Sequence, residues 1–91
     1  MPTLQLQNIT IKKLTDKNLK DYYLIINNYD NGEAFFCFEG TINKEGWTEL
    51  EDNWENIKEI ELEYLEKEQQ GQVYRKVVSL QVRGEQGLFV F

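Results

Sequence analysis

The first stretch of the chain alternates apolar and polar residues, which is typical of a strand with one face in a core. The apolar positions are Leu4, Leu6, Ile9 and Ile11. The phase of the alternation slips between Leu6 and Ile9, and a β-bulge near Gln7 and Asn8 would produce that slip. We therefore predict a long, bulged first strand, followed by a lysine-rich loop over Lys12–Lys20.

A hairpin is predicted next. Residues Tyr22 to Asn27 are mostly β-branched and aromatic, as expected of a well-buried strand. Asp30-Asn31-Gly32 then gives a strong turn signal, because Asn and Gly tolerate the positive φ of a tight turn. The segment from Glu33 to Ile42 follows as the partner strand.

The period then changes from two to about 3.6 residues. Trp47, Leu50, Trp54 and Ile57 are spaced so that all four fall on one face of a helix. Thr48 and Glu51 fit a capping box, in which the hydroxyl and the carboxylate accept hydrogen bonds from backbone N–H groups at the helix start. The sequence predicts a short helix from about Thr48 to Lys58.

Alternation returns in the last third of the chain. Ile60, Leu62 and Tyr64 alternate with Glu59, Glu61 and Glu63, so that one face is apolar and the other acidic. Gln69-Gln70-Gly71 reads as a loop. The final long strand then puts five residues on one face, namely Tyr74, Lys76, Val78, Leu80 and Val82. Residues 84–91 form a tail whose apolar end, Leu88 to Phe91, could add a short strand.

The predicted order is strand, strand, strand, helix, strand, strand. This mainly β arrangement with one helix is the connectivity of an OB-fold-like five-stranded barrel. An open antiparallel sheet with a helix across one face is the first alternative, and an SH3-like barrel is the second. With 91 residues, residues 1–91 make a single small domain.

Acidic residues are concentrated in the middle of the chain. Thirteen of the sixteen Asp and Glu residues lie between Asp30 and Glu68, against three lysines, which gives that segment a formal charge of −10. The flanks carry seven Lys or Arg against three acids, a charge of +4. Such a polarised surface favours binding a charged partner over chemistry on a buried substrate.

The residues that most enzymes need are scarce. The chain has no histidine, which removes the commonest general base and metal ligand, and no glycine-rich phosphate loop. The single cysteine, Cys37, lies in the apolar run Ala34–Phe38, which predicts a buried side chain. We expect a non-enzymatic protein without a cofactor or a metal.

Aromatic residues dominate the predicted hairpin. Alternation puts Tyr22 and Tyr23 on opposite sides of the sheet, and it separates Phe36 and Phe38 from Phe35. We assign Tyr22, Phe36 and Phe38 to the core. Tyr23 and Phe35 are then either covered by the apolar end of the chain or free to stack on the bases of a single strand, as OB-fold rings do.

Two classes of partner follow from these residues, and a protein partner ranks first. An acidic patch with exposed rings would bind a basic protein, through Glu59, Glu61, Glu63, Tyr23 and Phe35. Single-stranded nucleic acid ranks second, with candidate residues Lys12, Lys13, Lys17, Lys20, Tyr23, Phe35 and Arg75. An acidic mimic of DNA ranks third. For the three glutamates, a solvated strand face is favoured over a cation site.

The N-terminus lacks the basic and long apolar regions of a signal peptide. The longest unbroken apolar runs, such as Tyr22 to Ile26, are too short to span a bilayer. We therefore expect a soluble cytoplasmic protein that does not bind membranes.

Overall fold

The computed structural model describes residues 3–83. Their strands are β1 (Thr3–Leu6), β2 (Ile9–Thr15), β3 (Asp21–Asn27), β4 (Ala34–Cys37), β5 (Glu59–Gln69) and β6 (Gln72–Arg83). The α-helix is α1 (Lys44–Asn53), and single 3₁₀ turns occupy Asp30–Gly32 and Trp54–Asn56. The predicted terminal strand at Leu88–Phe91 lies outside the described residues.

The six strands form one sheet in the order β1-β5-β6-β4-β3-β2, with β4 and β6 parallel and the other pairs antiparallel. The two edge strands, β1 and β2, are separated in the chain only by Gln7 and Asn8. A flat sheet of this size would hold its edges about 24 Å apart. The linking segment reaches about 10 Å. The sheet must therefore curl, and it forms a half-barrel.

This half-barrel confirms the predicted fold class. The predicted bulge near Gln7 and Asn8 is a bend that divides the first strand into β1 and β2. Counted as one bent strand, β1 and β2 complete the predicted order of three strands, a helix and two strands. The chain is therefore an OB-fold-like half-barrel.

The core lies inside the curl. It is built from buried apolar residues of β1 and β3–β6, of α1 and of the segments flanking the helix: Leu6, Tyr23, Ile25, Phe35, Cys37, Ile42, Trp47, Leu50, Ile57, Ile60, Leu62, Val77 and Leu80. The alternation predicted for the hairpin is confirmed, but the face assigned to the core is wrong. Tyr23 and Phe35 point inward, whereas Tyr22, Phe36 and Phe38 are half-buried on the other side. Both sides of the hairpin are apolar, so only the direction of the curl decides which side is inside.

The helix begins four residues earlier than predicted, and the Thr48–Glu51 capping box is wrong. The N-cap position is Asn43, whose side chain does not cap the helix. Instead, its Oδ1 accepts a hydrogen bond from the Leu80 N–H at 2.8 Å, and its own backbone N–H donates to the Val78 carbonyl at 3.1 Å. β4 ends before this point and leaves the edge of β6 unpaired. Asn43 binds to that edge and thereby fixes the start of α1.

Several strand boundaries also differ from the prediction. β2 continues to Thr15, so that Lys12 and Lys13 lie on a strand and only residues 16–20 form the loop. β4 ends at Cys37 rather than at Ile42. The turn at Asn31 and Gly32 is confirmed, with φ values of 64° and 73°.

The final strand contains a bulge that the alternation did not predict. Glu63 pairs with Ser79, but Tyr64 pairs with Val77, which leaves Val78 as the extra residue. The five residues predicted to share one face are therefore divided. Val77 and Leu80 are buried, and Val82 packs against the core, whereas Tyr74 and Lys76 lie on the opposite side of the strand.

The packing of α1 on β6 depends on Gly46. A Cβ atom at this position would lie 2.9 Å from both the Cβ and the carbonyl oxygen of Leu80, and 2.6 Å from Asn43 Oδ1. We expect Gly46→Ala to lower the free energy of unfolding by about 1–2 kcal/mol. Overpacking typically costs about 1–3 kcal/mol, and contacts this short, one of them with a backbone atom, place the cost at about 2–3 kcal/mol. This outweighs the gain of about 1 kcal/mol in helix propensity. Urea denaturation followed by circular dichroism would measure the change.

Thr48→Ala is the matched control, because Thr48 is exposed within α1. It should change stability by less than about 0.5 kcal/mol. A loss of about 1 kcal/mol at Thr48 would instead indicate that it is an N-cap. Unchanged stability of Gly46→Ala would contradict the close approach of α1 to β6.

Candidate functional site

The outer face of the sheet, which is the side turned away from the core, carries a continuous row of side chains across five strands. Strand pairing aligns Lys12 with Leu24, Leu24 with Phe36, Phe36 with Lys76, and Lys76 with Leu65. We call these five residues the outer row. At one strand spacing per step, the row is about 19 Å long.

Four rings lie at the centre of the outer row and beside it. They form an aromatic cluster, defined as Tyr22, Phe36, Phe38 and Tyr74. The rings of Phe36 and Phe38 are nearly parallel, with an interplanar angle of 11° and centroids 6.0 Å apart. The Tyr22 centroid lies 5.4 Å from that of Phe38, and Tyr74 meets Phe36 edge-on at 5.8 Å. All four side chains are half-buried, so each keeps part of its surface open to solvent.

Lysines accompany the rings. Lys76 places its Nζ 5.6 Å from the centroid of the Phe38 ring, within the range of a cation–π contact. Lys67 is paired with Tyr74 and therefore shares its side of the sheet, and Lys12 lies at the far end of the outer row. None of these three lysines takes part in an ion pair within residues 3–83.

A groove of about 380 Å³ opens between β4 and the β5–β6 hairpin. Three rings of the aromatic cluster, Phe36, Phe38 and Tyr74, line it together with Lys67, Glu68, Gln69 and Lys76. The volume falls within the range of sites that hold small ligands. The groove thus combines an apolar floor with a charged rim.

Tyr23 and Phe35, the two rings predicted for both kinds of partner, are not available on the surface. Their side chains are 1% and 0% exposed, so the expectation of exposed rings is wrong. Tyr23 meets the ring of Trp47 edge-on at 5.2 Å, and Phe35 meets that of Tyr64 at 5.2 Å. Burial raises the pKa of the Tyr23 hydroxyl, and the nearby carboxylates, chiefly that of Glu51, raise it further.

The predicted cations are dispersed. Lys12 lies on the outer row, but Lys13 points to the other side and its Nζ lies 3.7 Å from an Asp21 oxygen. Arg75 is not near the aromatic cluster on the outer face. Its guanidinium lies over the buried Phe35 ring, with nitrogens 3.6 Å from Glu33 and 3.7 Å from Glu66.

The remaining two cations, Lys17 and Lys20, are exposed in the turn that joins β2 to β3. One oxygen of Asp16, Oδ1, accepts hydrogen bonds from the backbone N–H groups of Asn18 at 2.8 Å and Lys20 at 2.9 Å. This turn also holds Leu19 at a φ of 63° with its side chain 85% exposed. The turn is thus ordered by its own hydrogen bonds and lies next to Tyr22.

Sequence reasoning did not identify Lys67, Tyr74 and Lys76 as parts of one site. The available signal was the alternation of Tyr74, Arg75 and Lys76, which separates the arginine from the other two. What the sequence did not provide was the parallel pairing of β4 with β6, which brings Lys76 beside Phe36.

The acidic row, defined as Glu59, Glu61 and Glu63, occupies another part of the outer face. Its residues are half-buried on β5, opposite Ser79 and Gln81 of β6 on one side and Thr3 and Gln5 of β1 on the other. The hydroxyl of Thr3 donates to Glu63 Oε2 at 3.5 Å. The bulge at Val78 lies between this acidic half of the β5–β6 ribbon and the half that carries Lys67, Tyr74 and Lys76.

Within residues 3–83, no group of three or more His, Cys, Asp or Glu side chains is arranged to hold a metal ion. Cys37 is buried as predicted, and burial raises the pKa of its thiol, which suppresses the reactive thiolate. No helix in this part of the chain has the length and apolar character required to cross a membrane.

Comparison with protein-family models, with curated proteins and with solved structures finds no match to this chain.

The structure places Phe35 in the core and Phe36 on the outer face, and two substitutions test this assignment. Phe35→Ala should lower the free energy of unfolding by about 3–5 kcal/mol, because it empties a fully buried site. Phe36→Ala should cost less than about 2 kcal/mol, because its ring is only half-buried. Urea unfolding of both variants would measure the difference. Equal losses, or a larger loss at Phe36, would contradict the assignment of faces.

Proposed function

We propose that this protein is a non-enzymatic module that binds single-stranded nucleic acid across the outer face of its half-barrel. The outer row is the observation that carries the proposal, because it joins Phe36 at its centre to Lys76 beside it and Lys12 near its end. Proteins with OB-folds bind oligonucleotides on the face of their second and third strands. Here those strands are β3 and β4.

The aromatic cluster supports stacking of bases. Every nucleobase has a π-face, so rings on an open sheet bind single strands with little regard to sequence. Phe36 and Phe38 are suited to this role because their planes are nearly parallel and their side chains are partly exposed. A buried core needs no such second layer of rings on its outer side.

The lysines support contacts to phosphate groups. Lys12 on β2 and Lys76 on β6 are three strand spacings apart, or about 14 Å. A stacked single strand that advances about 3.4 Å per nucleotide would cover that distance in about four nucleotides. Lys67, Lys17 and Lys20 add positive charge around this path.

The formal net charge of −6 argues against binding to a polyanion. This objection is weaker once the positions of the charged side chains are known. Asp21 lies beside Lys13, and Glu33 and Glu66 lie beside Arg75, so these three carboxylates are partly neutralised. The acidic row lies on the far half of the β5–β6 ribbon. Local charge along the strand path, rather than the total, determines attraction of a polyanion.

Binding can be measured by fluorescence anisotropy of a labelled oligonucleotide of about twelve nucleotides, with variants of the rings and the lysines. Phe36→Ala and Phe38→Ala should each weaken binding by about 1–3 kcal/mol through lost stacking. Lys12→Gln and Lys76→Gln should each reduce the slope of log affinity against log salt by about 0.7, since each removes one phosphate contact.

Lys44→Gln is the matched control, because Lys44 is exposed at the start of α1 and does not lie on the outer row. Its affinity and salt slope should equal those of the unaltered protein. Failure of the protein to bind any single-stranded DNA or RNA at low salt would exclude this function.

A basic protein is the second candidate partner, favoured by the alignment of the acidic row on one face of β5. Its side chains are about 7 Å apart along the strand. Regularly spaced carboxylates are also what the third candidate, an acidic mimic of DNA, requires. The outer face around them contributes uncharged polar groups from Ser79, Gln81, Thr3 and Gln5.

Charge reversal distinguishes this candidate. Replacing Glu59, Glu61 and Glu63 by Lys should slow association with a basic partner and weaken its dependence on salt. The same variant should bind single-stranded nucleic acid at least as tightly as the unaltered protein. An unchanged pull-down profile after reversal would argue against a protein partner at the acidic row.

A further inference from the structure

We propose that the unpaired edge of β1 binds an extended peptide in which basic and apolar residues alternate, and that the peptide adds a strand to the sheet. This inference goes beyond the proposed function, because β1 is the one strand that the outer row does not cross. Its starting point is the sheet order. β1 is an outermost strand and, within residues 3–83, it pairs with β5 alone.

A groove of about 230 Å³, the edge groove, runs along this side of β1. Four consecutive residues, 4–7, line it. Consecutive side chains of a strand point to opposite faces of the sheet, so what these residues share is the backbone edge. In an antiparallel pair only every second residue directs its N–H and C=O groups to the partner strand. The remaining backbone groups of β1 therefore point into the edge groove.

The opposite wall of the edge groove limits what can enter. It is formed by Asn27 at the end of β3, and by Tyr29 and Glu33 in the segment that joins β3 to β4. Asn27 Oδ1 accepts a hydrogen bond from the Tyr29 N–H at 3.1 Å, which fixes the start of that segment. A second copy of the chain would carry the same wall beside its own β1, so pairing of β1 with β1 would bring the two walls together. A single extended chain meets no such obstacle.

β1 lacks the charges that keep many edge strands from pairing. Lysines on an edge strand discourage the addition of another strand. The other outermost strand, β2, carries Lys12 and Lys13. β1 contains only threonine, leucine and glutamine. Its edge is therefore competent to pair, and main-chain hydrogen bonds supply the affinity when a peptide adds to a sheet.

The charges around the edge favour a basic peptide. Among the described residues that line the edge groove, Glu33 is the only charged one. The acidic row lies on β5, two strand spacings, or about 10 Å, from a strand added to β1. Lys or Arg at alternate positions of the peptide would share the outer face with these carboxylates and complement their charge. The intervening residues would share the inner face with Leu4 and Leu6, so they should be apolar.

The probe is a labelled octapeptide that alternates lysine and valine. Its binding to the full chain would be followed by fluorescence anisotropy at about 0.15 M salt, where attraction between exposed charges is screened beyond about 8 Å. An octapeptide that alternates glutamate and valine has the same tendency to extend but the opposite charge. We expect the lysine peptide to bind at least about tenfold more tightly. Equal binding of the two peptides would overturn the choice of a basic partner.

Two methylated versions of the lysine peptide test backbone pairing. The amide nitrogens of the lysines are methylated in one version, and those of the valines in the other. Alternate residues of a strand direct their N–H groups to the same edge, so one version loses its donors to β1 and keeps its charge. That version should bind at least about tenfold more weakly than the unmethylated peptide. If both versions bound as well as the unmethylated peptide, strand addition would be overturned.

Gln5 and Gln81 provide matched variants of the protein. Both are exposed, and they flank Glu61 on the outer face, Gln5 from β1 and Gln81 from β6. Gln5→Lys places a cation at the edge and should weaken binding of the lysine peptide at least about fivefold. Gln81→Lys adds the same charge beside the same glutamate, but two strands from the edge, and should change binding by less than about twofold. Equal losses would show that the peptide binds the acidic row instead of the edge.

Hydrogen exchange of the full chain locates the bound peptide. The peptide should slow exchange of the β1 amides that do not pair with β5, and it should leave the edge amides of β2 unchanged. If those β1 amides were already protected without peptide, the edge would have another occupant and the proposal would be overturned. Sedimentation then identifies that occupant, because a monomer indicates another segment of this chain and a dimer indicates a second copy. Neither result affects the proposal of nucleic-acid binding, whose variants lie on the outer face of other strands.

Discussion

The link between β1 and β2 is the constraint on which the rest of the structure depends. Gln7 and Asn8 alone join the two edges of a six-stranded sheet, and a segment of that length cannot cross a flat sheet of that width. The sheet must curl, and the curl gives it an inside and an outside. Tyr23, Ile25 and Phe35 are thereby enclosed, and the equally apolar neighbours Tyr22 and Phe36 are left on the outer face.

The parallel pairing of β4 with β6 is the second decisive contact, and it is short. Phe36 and Lys76 are its one aligned pair, after which β4 ends and Asn43 takes over the edge of β6. The same arrangement therefore accounts for two features. It brings a lysine beside the aromatic cluster, and it anchors α1 where Gly46 permits close packing against Leu80.

Charge on the outer face is divided by the bulge at Val78. On one side of it lie Lys67 and Lys76 with the rings, and on the other lies the acidic row. A chain with a formal charge of −6 can in this way present a locally cationic, aromatic path. The acidic half would then confine a bound polyanion to the other half.

Local patterns in the sequence were enough for the order of elements, the bend at Gln7 and Asn8, the turn at Asn31 and Gly32, and the burial of Trp47 and Leu50, because each depends on neighbours along the chain. The start of α1 was not predictable in this way, since Asn43 bonds to a strand far away in sequence. Nor was the candidate site. Alternation fixes which residues share a face, so Tyr22, Phe36 and Tyr74 were separable from Tyr23, Phe35 and Arg75. Which of the two faces is enclosed, and which strands bring lysines beside the rings, depends on long-range closure of the sheet, and that was decided only by the tertiary structure.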